Sequence, residues 1–467
     1  MAEICLSYAR RSKPIVQKLH ALLRERYGVW WDEQIHAGDY RSEIERQLEQ
    51  AKCVIPIWCH TSRADANVID EVKFAERRGI PLLPVRIENV EAPLGFASLH
   101  TVDLLGWTGE ATHPGIVELL RNIETVLIQR PEKLTVGRDS LPAPIFFRSV
   151  SSFETQLRPV AAVHALKLFG SDPILVSAYD MVHDPDAGKI QADLKEYRAA
   201  GGIVLLDSGN YEAYRKEDKN WRSENLCAAF GNTPHDLAFC FDDLDPPDNV
   251  DDVVRGVVNA VERDSKNAGH RVLPIVHAPR AATYAARVAL IPEVLKRVAR
   301  EVRPLLLAVP ERELGRGIVE RARTMQSIRQ ALDELGFYQA VHLLGTGNPL
   351  TIAVLAAAGA DCFDGLEWCR TVADHQTGQL YHFHQYDFFS WQSREAVSPI
   401  VREAVSSDKV EFTAKVIFHN LEFFSTWMGE LQVQLRNRKV DRFLVEKLPG
   451  RSSGMKMLEQ ALPEVFG

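Results

Sequence analysis

Carboxylates recur just past the ends of apolar, strand-like runs in this 467-residue chain, and they suggest the chemistry it could do. The first is Glu71. It follows the run Cys53–Trp58 and a polar loop, at the start of a segment where Val68, Val72 and Ala75 fall at helical spacing. A carboxylate in such a loop can orient a sugar hydroxyl or stabilise an oxocarbenium-like centre as an N-glycosidic bond breaks. The plainer reading is that Asp70 and Glu71 only complement a helix N-terminus. A second set lies further on, at Asp180, Asp207, Asp242, Glu311 and Asp364, with His277 at an equivalent place. Any one of these acids reads as a helix cap. Five around one rim suit a pocket that grips a nucleobase by its donor edge and supplies a nucleophile and a general acid.

Two sets of elements must position these groups. Over residues 1–130, Ile4–Tyr8, Val29–Asp32, Cys53–Trp58, Ile80–Ile87 and His100–Leu105 read as strands. The helices between them show buried faces at Ile15, Leu19 and Leu22, at Ile44, Leu48 and Ala51, and at Val68, Val72 and Ala75. Ser12 reads as a helix cap, and Gly28 and Gly79 as helix ends. Strands alternating with helices imply an α/β fold, here a doubly wound parallel sheet, which holds ligands at the carboxyl ends of its strands. Residues 131–144, rich in Pro and charge, read as a linker. Across 145–467, eight further runs begin at Ile145, Ile174, Ile203, Leu237, Val272, Leu305, Ala340 and Asp361. With helical segments between them they predict a (β/α)8 TIM-type barrel followed by C-terminal helices.

Composition excludes some classes. Hydrophobic content of 46% and charge of 25% are those of an ordinary globular protein. The net charge of −8 means that nucleic-acid contact would need a local basic patch. Arg436–Lys447 is the most basic local run and reads as a solvated helix face. Seven cysteines without a CxxC motif suggest reduced thiols, and no apolar run is long enough to span a bilayer. These features predict a cytoplasmic protein with no membrane partner.

The segments ICLSYARRS, VWWDEQIHAGD and the stretch ending in Asp70-Glu71 resemble the successive boxes of a bacterial TIR domain over roughly residues 1–130. Many such domains hydrolyse NAD. The resemblance implies NAD as substrate, Glu71 as the catalytic residue, and Ser7, Tyr8, Trp31 and Asp32 beside the nicotinamide riboside. It also implies that Gly38 lies in a loop that assembles copies into an active homo-oligomer. Cys59, Asp65 and Asn67 stand where the family usually has serines and a tryptophan.

LDSGNYEAY, AFCFDD, LAVPERE and LLGTGNP followed by GADCFDGLEWCR resemble tRNA-guanine transglycosylases over roughly 145–435. This implies Asp207 as general acid, Asp242 on the purine edge and Asp364 as nucleophile, with Glu311 in the strand carrying LAVPERE. His277 stands in place of a base-binding glutamine, Asn210 in place of a loop glycine and Pro310 in place of a strand glycine. The family's cysteine-rich zinc segment is absent. Cys369, His375, His382, His384 and His419 fit no zinc spacing, so zinc is not expected.

Together these readings predict an immune-type effector whose TIR-like domain hydrolyses NAD under control of a barrel that senses a nucleobase, modified nucleoside or nucleic acid. The alternatives are a base-exchanging barrel with the TIR-like domain as assembly module, and a scaffold without catalysis.

Overall fold

The computed structural model describes residues 4–31, 40–128, 130–153, 155–170, 172–448 and 451–466. The chain divides into two compact units, the first of Met1–Arg130 with Gly336–Tyr338 and the second of Pro131–Leu335 with Gln339–Gly467.

In the first unit β1 (Ile4–Ser7), β2 (Val29–Trp30), β3 (Cys53–Trp58), β4 (Val85–Arg86) and β5 (Val102–Asp103) form a parallel sheet in the order β2-β1-β3-β4-β5. The full burial of β3 explains its unbroken apolar run. The expected strand Ile80–Ile87 is mostly extended chain. Pro81 and Pro84 have no N–H to offer the ladder, so pairing shrinks to a bridge at Leu82 and the two residues of β4.

Helix α1 (Lys13–Leu23) buries Val16, Leu19 and Leu23, so its inward face is turned from the expected Ile15 and Leu22. It ends at Arg24, whose N–H reaches the His20 carbonyl. Gly28, expected as its cap, instead accepts from Ile4 N at the head of β1. Helix α2 (Tyr40–Gln50) and α3 (Ala66–Arg77) bury the expected residues. Gly79, at φ +70°, follows α3 in the left-handed conformation. Helix α4 (Pro114–Ile128) completes the unit.

The second unit opens with a hairpin, β6 (Lys133–Val136) and β7 (Asp139–Pro142), within the stretch that reads as a linker. Leu134 and Val136 are buried there, and Gly137 at φ +61° makes the turn. Seven parallel strands follow. They are β8 (Ile145–Val150), β9 (Ile174–Ser177), β10 (Val204–Asp207), β11 (Leu237–Ala238), β12 (Leu306–Pro310), β13 (Ala340–Leu344) and β14 (Cys362–Gly365).

Their order, β11-β10-β9-β8-β14-β13-β12, leaves β11 and β12 as edges. The expected strand at 272–276 spans that gap by single bridges, Leu273 to Phe239 and Ile275 to Ala308, so eight segments encircle one core. Pro274 has no N–H, which limits its pairing to bridges; its carbonyl accepts from Ala308 N. Phe147 and Phe239 pack against His342 at centroid distances of 5.5 and 5.6 Å, which fills the interior below the mouth with side chains. The long helix Phe412–Arg436 lies among the C-terminal helices. No helix among the described residues is long and apolar enough to cross a membrane.

Candidate functional sites

The sheet of the first unit delivers Ser7 and Glu71 to one point. Ser7 is the last residue of β1 and is buried, and its hydroxyl donates to Glu71 Oε2 at 2.5 Å. Glu71 lies in the second turn of α3, whose first turn contains no acid. Asp65 is the cap, accepting from Asn67 N at 3.0 Å. Glu71 is therefore not a capping carboxylate. Burial and the charge of Glu71 push the Cys5 thiol up to about 12, which makes it inert at neutral pH.

Trp31 stacks with Tyr8 at 5.9 Å and with His20 at 5.1 Å, giving an aromatic wall at the ends of β1 and β2. His20 is absent from the expected site residues because it reads as a helix-surface position. Asp32, Ile35, Gly38 and the rest of 32–39 lie outside the described residues. Ser12 makes no cap hydrogen bond; its hydroxyl meets Cys59 Sγ at 3.2 Å. The Cys59 amide donates to Ser62 Oγ at 2.8 Å, so these residues brace the loop leading to α3. Burial opposes ionisation of Cys59, but hydrogen bonds from Ser12 and Ser62 hold its thiol below the ordinary value.

One comparison bears on this unit. Residues 4–120 match the family model of the TIR domain. The match spans all five strands, with Ser7, Trp31 and Glu71 inside it. No curated protein matches the chain. Ser7 and Glu71 thus meet at the carboxyl edge of a TIR-domain sheet, and the likeness of the barrel to transglycosylases rests on its sequence motifs.

The barrel gathers its acids into two arrangements. Asp242, beyond β11, accepts from Ser208 Oγ at 2.8 Å and pairs with His277 Nε2 at 2.8 Å. His277 Nδ1 lies 2.7 Å from Glu313, which also accepts from Ala278 N and pairs with Arg287 at 3.1 Å. Burial alone would lower the His277 pKa, but the two carboxylates override it and push it up to about 9. Asp242 and Glu313 are held below the usual carboxylate range, burial being outweighed by their hydrogen bonds to His277. His277 is therefore an imidazolium committed at both nitrogens, unlike an amide that reads a base. Glu313 has no sequence signal of its own, because it lies two residues past the strand-end Glu311, within the same 3-10 turn.

Asp364, in β14, accepts from Ser149 Oγ at 3.0 Å, His342 Nε2 at 2.9 Å and Gly345 N at 3.2 Å. His342 Nδ1 is buried without a partner among the described residues, which fits the tautomer with its proton on Nε2. The sequence gives His342 no prominence, since it reads as mid-strand.

Asp207 is raised well above the carboxylate range by burial and by the charges of Glu212, Asp242 and Asp364. Glu212 is pushed up to about 7 by burial and by Asp180. Glu311 pairs with Arg321 at 2.5 Å, yet burial and the charge of Glu367 raise it. Gly209, at φ +72°, turns the loop after Asp207; a Cβ there would lie 2.4 Å from Tyr179 N. Asn210 then ties this loop to the Asp242 carbonyl at 2.8 Å, a use for the residue at the expected glycine position. Asn210, Phe241 and Asp242 line an open cleft of about 480 Å³.

The rim also carries cations laid on aromatic faces. Arg215 covers Phe153 at 4.6 Å, and Arg312 covers Tyr211 at 4.8 Å. Arg316 covers Tyr284 at 5.2 Å. These residues come from segments far apart in sequence, so no basic run announces them.

His375 and His419 lie side by side, with ring centroids 4.4 Å apart, and both are held by hydrogen bonds. His419 Nε2 donates to the Ala373 carbonyl and Nδ1 meets Ser393 Oγ, each at 2.7 Å. Burial and neighbouring His375 depress its pKa to about 3. His382 and His384 lie together, with rings 5.1 Å apart. In Val440–Lys447, Phe443 and Leu444 are buried and the Lys447 ammonium covers the Trp427 ring at 5.1 Å, so this helix is only partly solvated.

Proposed function

We propose that the TIR domain hydrolyses NAD at the nicotinamide N-glycosidic bond, in a cytoplasmic immune-type effector controlled by its barrel. The observation that carries this reading is the Ser7–Glu71 hydrogen bond at the carboxyl edge of a TIR-domain sheet. Ser7 fixes the Glu71 carboxylate by one oxygen. The carboxylate then faces positive charge as it develops on the ribose carbon. Nicotinamide departs with the bonding electron pair, water adds to the ribose carbon, and a proton is released. The Trp31–Tyr8 wall offers a flat surface for the nicotinamide ring, and the active form is a homo-oligomer.

In the same reading the barrel is the sensor. Its acid-lined mouth takes a base, nucleoside or nucleic acid, and the rim cations over aromatic rings suit phosphate and base contacts. A ligand raises TIR activity only through tighter binding to the active state. Incubating the purified protein with NAD, with and without phage-infected lysate, and following nicotinamide tests the reading.

A second reading is favoured by one observation. Burial and the charges of Glu212, Asp242 and Asp364 raise the Asp207 carboxyl well above its ordinary value, the direction a general acid next to a nucleophile needs. In that case the barrel exchanges a base and the TIR domain assembles it.

A further inference from the structure

We propose that the short helix Asn210–Arg215 is a strap across the barrel mouth, latched by Arg312 on Tyr211, and that a ligand reaches the acids only when this latch opens. The inference rests on the reading of the barrel as a sensor, and it names the movement that ligand binding would drive.

Three loops meet in the strap. Tyr211 follows β10 and Arg312 follows β12, with β11 and the segment 272–276 between those strands on the ring. Their contact at 4.8 Å therefore bridges the strand ends that carry Asp242 and His277. Arg215, at the end of the same helix, lies 6.0 Å from the Tyr211 ring and 4.6 Å from that of Phe153, beyond β8. Rings and guanidiniums thus alternate from one side of the mouth to the other, in the order Phe153, Arg215, Tyr211, Arg312. Lys216 anchors the β8 side. It donates to Ser152 Oγ, pairs with Asp180 at 3.7 Å and covers the Tyr179 ring at 5.2 Å. On the β12 side the Tyr284 hydroxyl donates to the Arg312 carbonyl at 3.1 Å.

The strap is in the closed position here. Asp242, His277 and Asp364 are 9%, 5% and 7% exposed, too little for a base to lie against them until something above them moves. The strap is also built to move. Left-handed residues bound it at both ends, Gly209 at φ +72° and Glu217 at φ +58°, so the segment between them is set off from its neighbours by a turn on each side. Its latch is made at the surface, where Tyr211 is 40% exposed. A cation on an exposed aromatic face shifts an equilibrium by only about two- to fivefold, so the latch biases the mouth toward closure without locking it.

The test uses the full chain and needs no ligand for its first arm. Hydrogen exchange of residues 210–216, read by mass spectrometry, is compared in wild type, Arg312→Ala and Arg312→Lys. Arg312→Ala is expected to speed exchange of this segment by about two- to fivefold, with the unfolding midpoint unchanged, and Arg312→Lys to restore most of the protection. In the second arm isothermal titration uses guanosine, which has no phosphate for Arg312 to meet. Arg312→Ala is expected to bind it about two- to fivefold more tightly than wild type, because less of the affinity is spent on opening. Unchanged exchange of 210–216 in Arg312→Ala overturns the latch. A lowered midpoint with faster exchange throughout the barrel overturns it too, since Arg312 would then be a structural residue. Faster local exchange with equal or weaker guanosine binding overturns control of entry. Guanosine bound by neither protein counts against the sensor reading instead, and the exchange arm still decides the latch.

Discussion

The Ser7 hydroxyl and the Glu71 carboxylate meet at 2.5 Å although 64 positions separate them in the chain. The contact exists because β1 and β3 are neighbours in a parallel sheet and α3 returns across it after β3. In the proposed reaction Ser7 does not share the chemistry with Glu71; its hydrogen bond fixes where one carboxylate oxygen points. Ser7→Ala should therefore lower nicotinamide release by about tenfold, the worth of one hydrogen bond to a charged group. Glu71→Gln should lower it far more. Steady-state rates of both variants at saturating NAD check the ranking, and equal losses would place Ser7 in the chemistry itself.

Assembly should govern activity. The loop Glu33–Tyr40 is expected to contact a neighbouring copy, so specific activity should rise with protein concentration. Rates measured across a hundredfold dilution, alongside sedimentation, check this. Flat activity from a monomer would contradict it.

The Asp242–His277–Glu313 relay makes a pH-dependent contribution to the stability of the barrel. His277 has its pKa raised to about 9, so its share is fully present below the unfolded value near 6.5 and is lost as pH rises through about 9. Asp242 and Glu313 are depressed, so their share is present above the ordinary carboxylate range and is lost as pH falls through their folded values. Thermal unfolding should thus show a plateau below about pH 6.5 and a fall that begins there and is complete near pH 9. His277→Ala leaves two buried carboxylates uncompensated and should cost about 3–5 kcal/mol. It should also abolish the alkaline fall, and a variant that keeps that limb would assign the titration to another group.

At the barrel mouth, Asp242→Ala should remove activation of the TIR domain by the trigger. Asp364→Ala should spare it if no covalent step is involved. Incorporation of labelled guanine into tRNA or DNA by the wild type, lost in Asp364→Ala, would instead make the barrel the enzyme.

Much of this architecture is legible in the sequence because burial writes itself as apolar runs. Cys53–Trp58 and Ala340–Leu344 are strands from end to end as expected. Legibility fails where proline removes donors, at Pro81, Pro84 and Pro274, and the expected strands thin to bridges. It also fails where function is assembled across loops. Asp207, Asp242 and Asp364 stand out as strand-end acids, but the committed state of His277 depends on Glu313, 36 positions away. Likewise, Arg312 finds Tyr211 only in three dimensions, and a net charge of −8 conceals both. The inward face of α1 lies one residue from the expected Ile15 and Leu22 because Ile15, Val16, Leu22 and Leu23 offer two nearly equal stripes.

The central claim is tested most directly by nicotinamide release from NAD by purified wild type and Glu71→Gln, at high protein concentration with the activating lysate. The account predicts release by the wild type and a loss on the order of hundreds-fold or more in Glu71→Gln, with the unfolding midpoint unchanged. Equal release by the two proteins, or a wild type that stays inert under every activating condition, would contradict it.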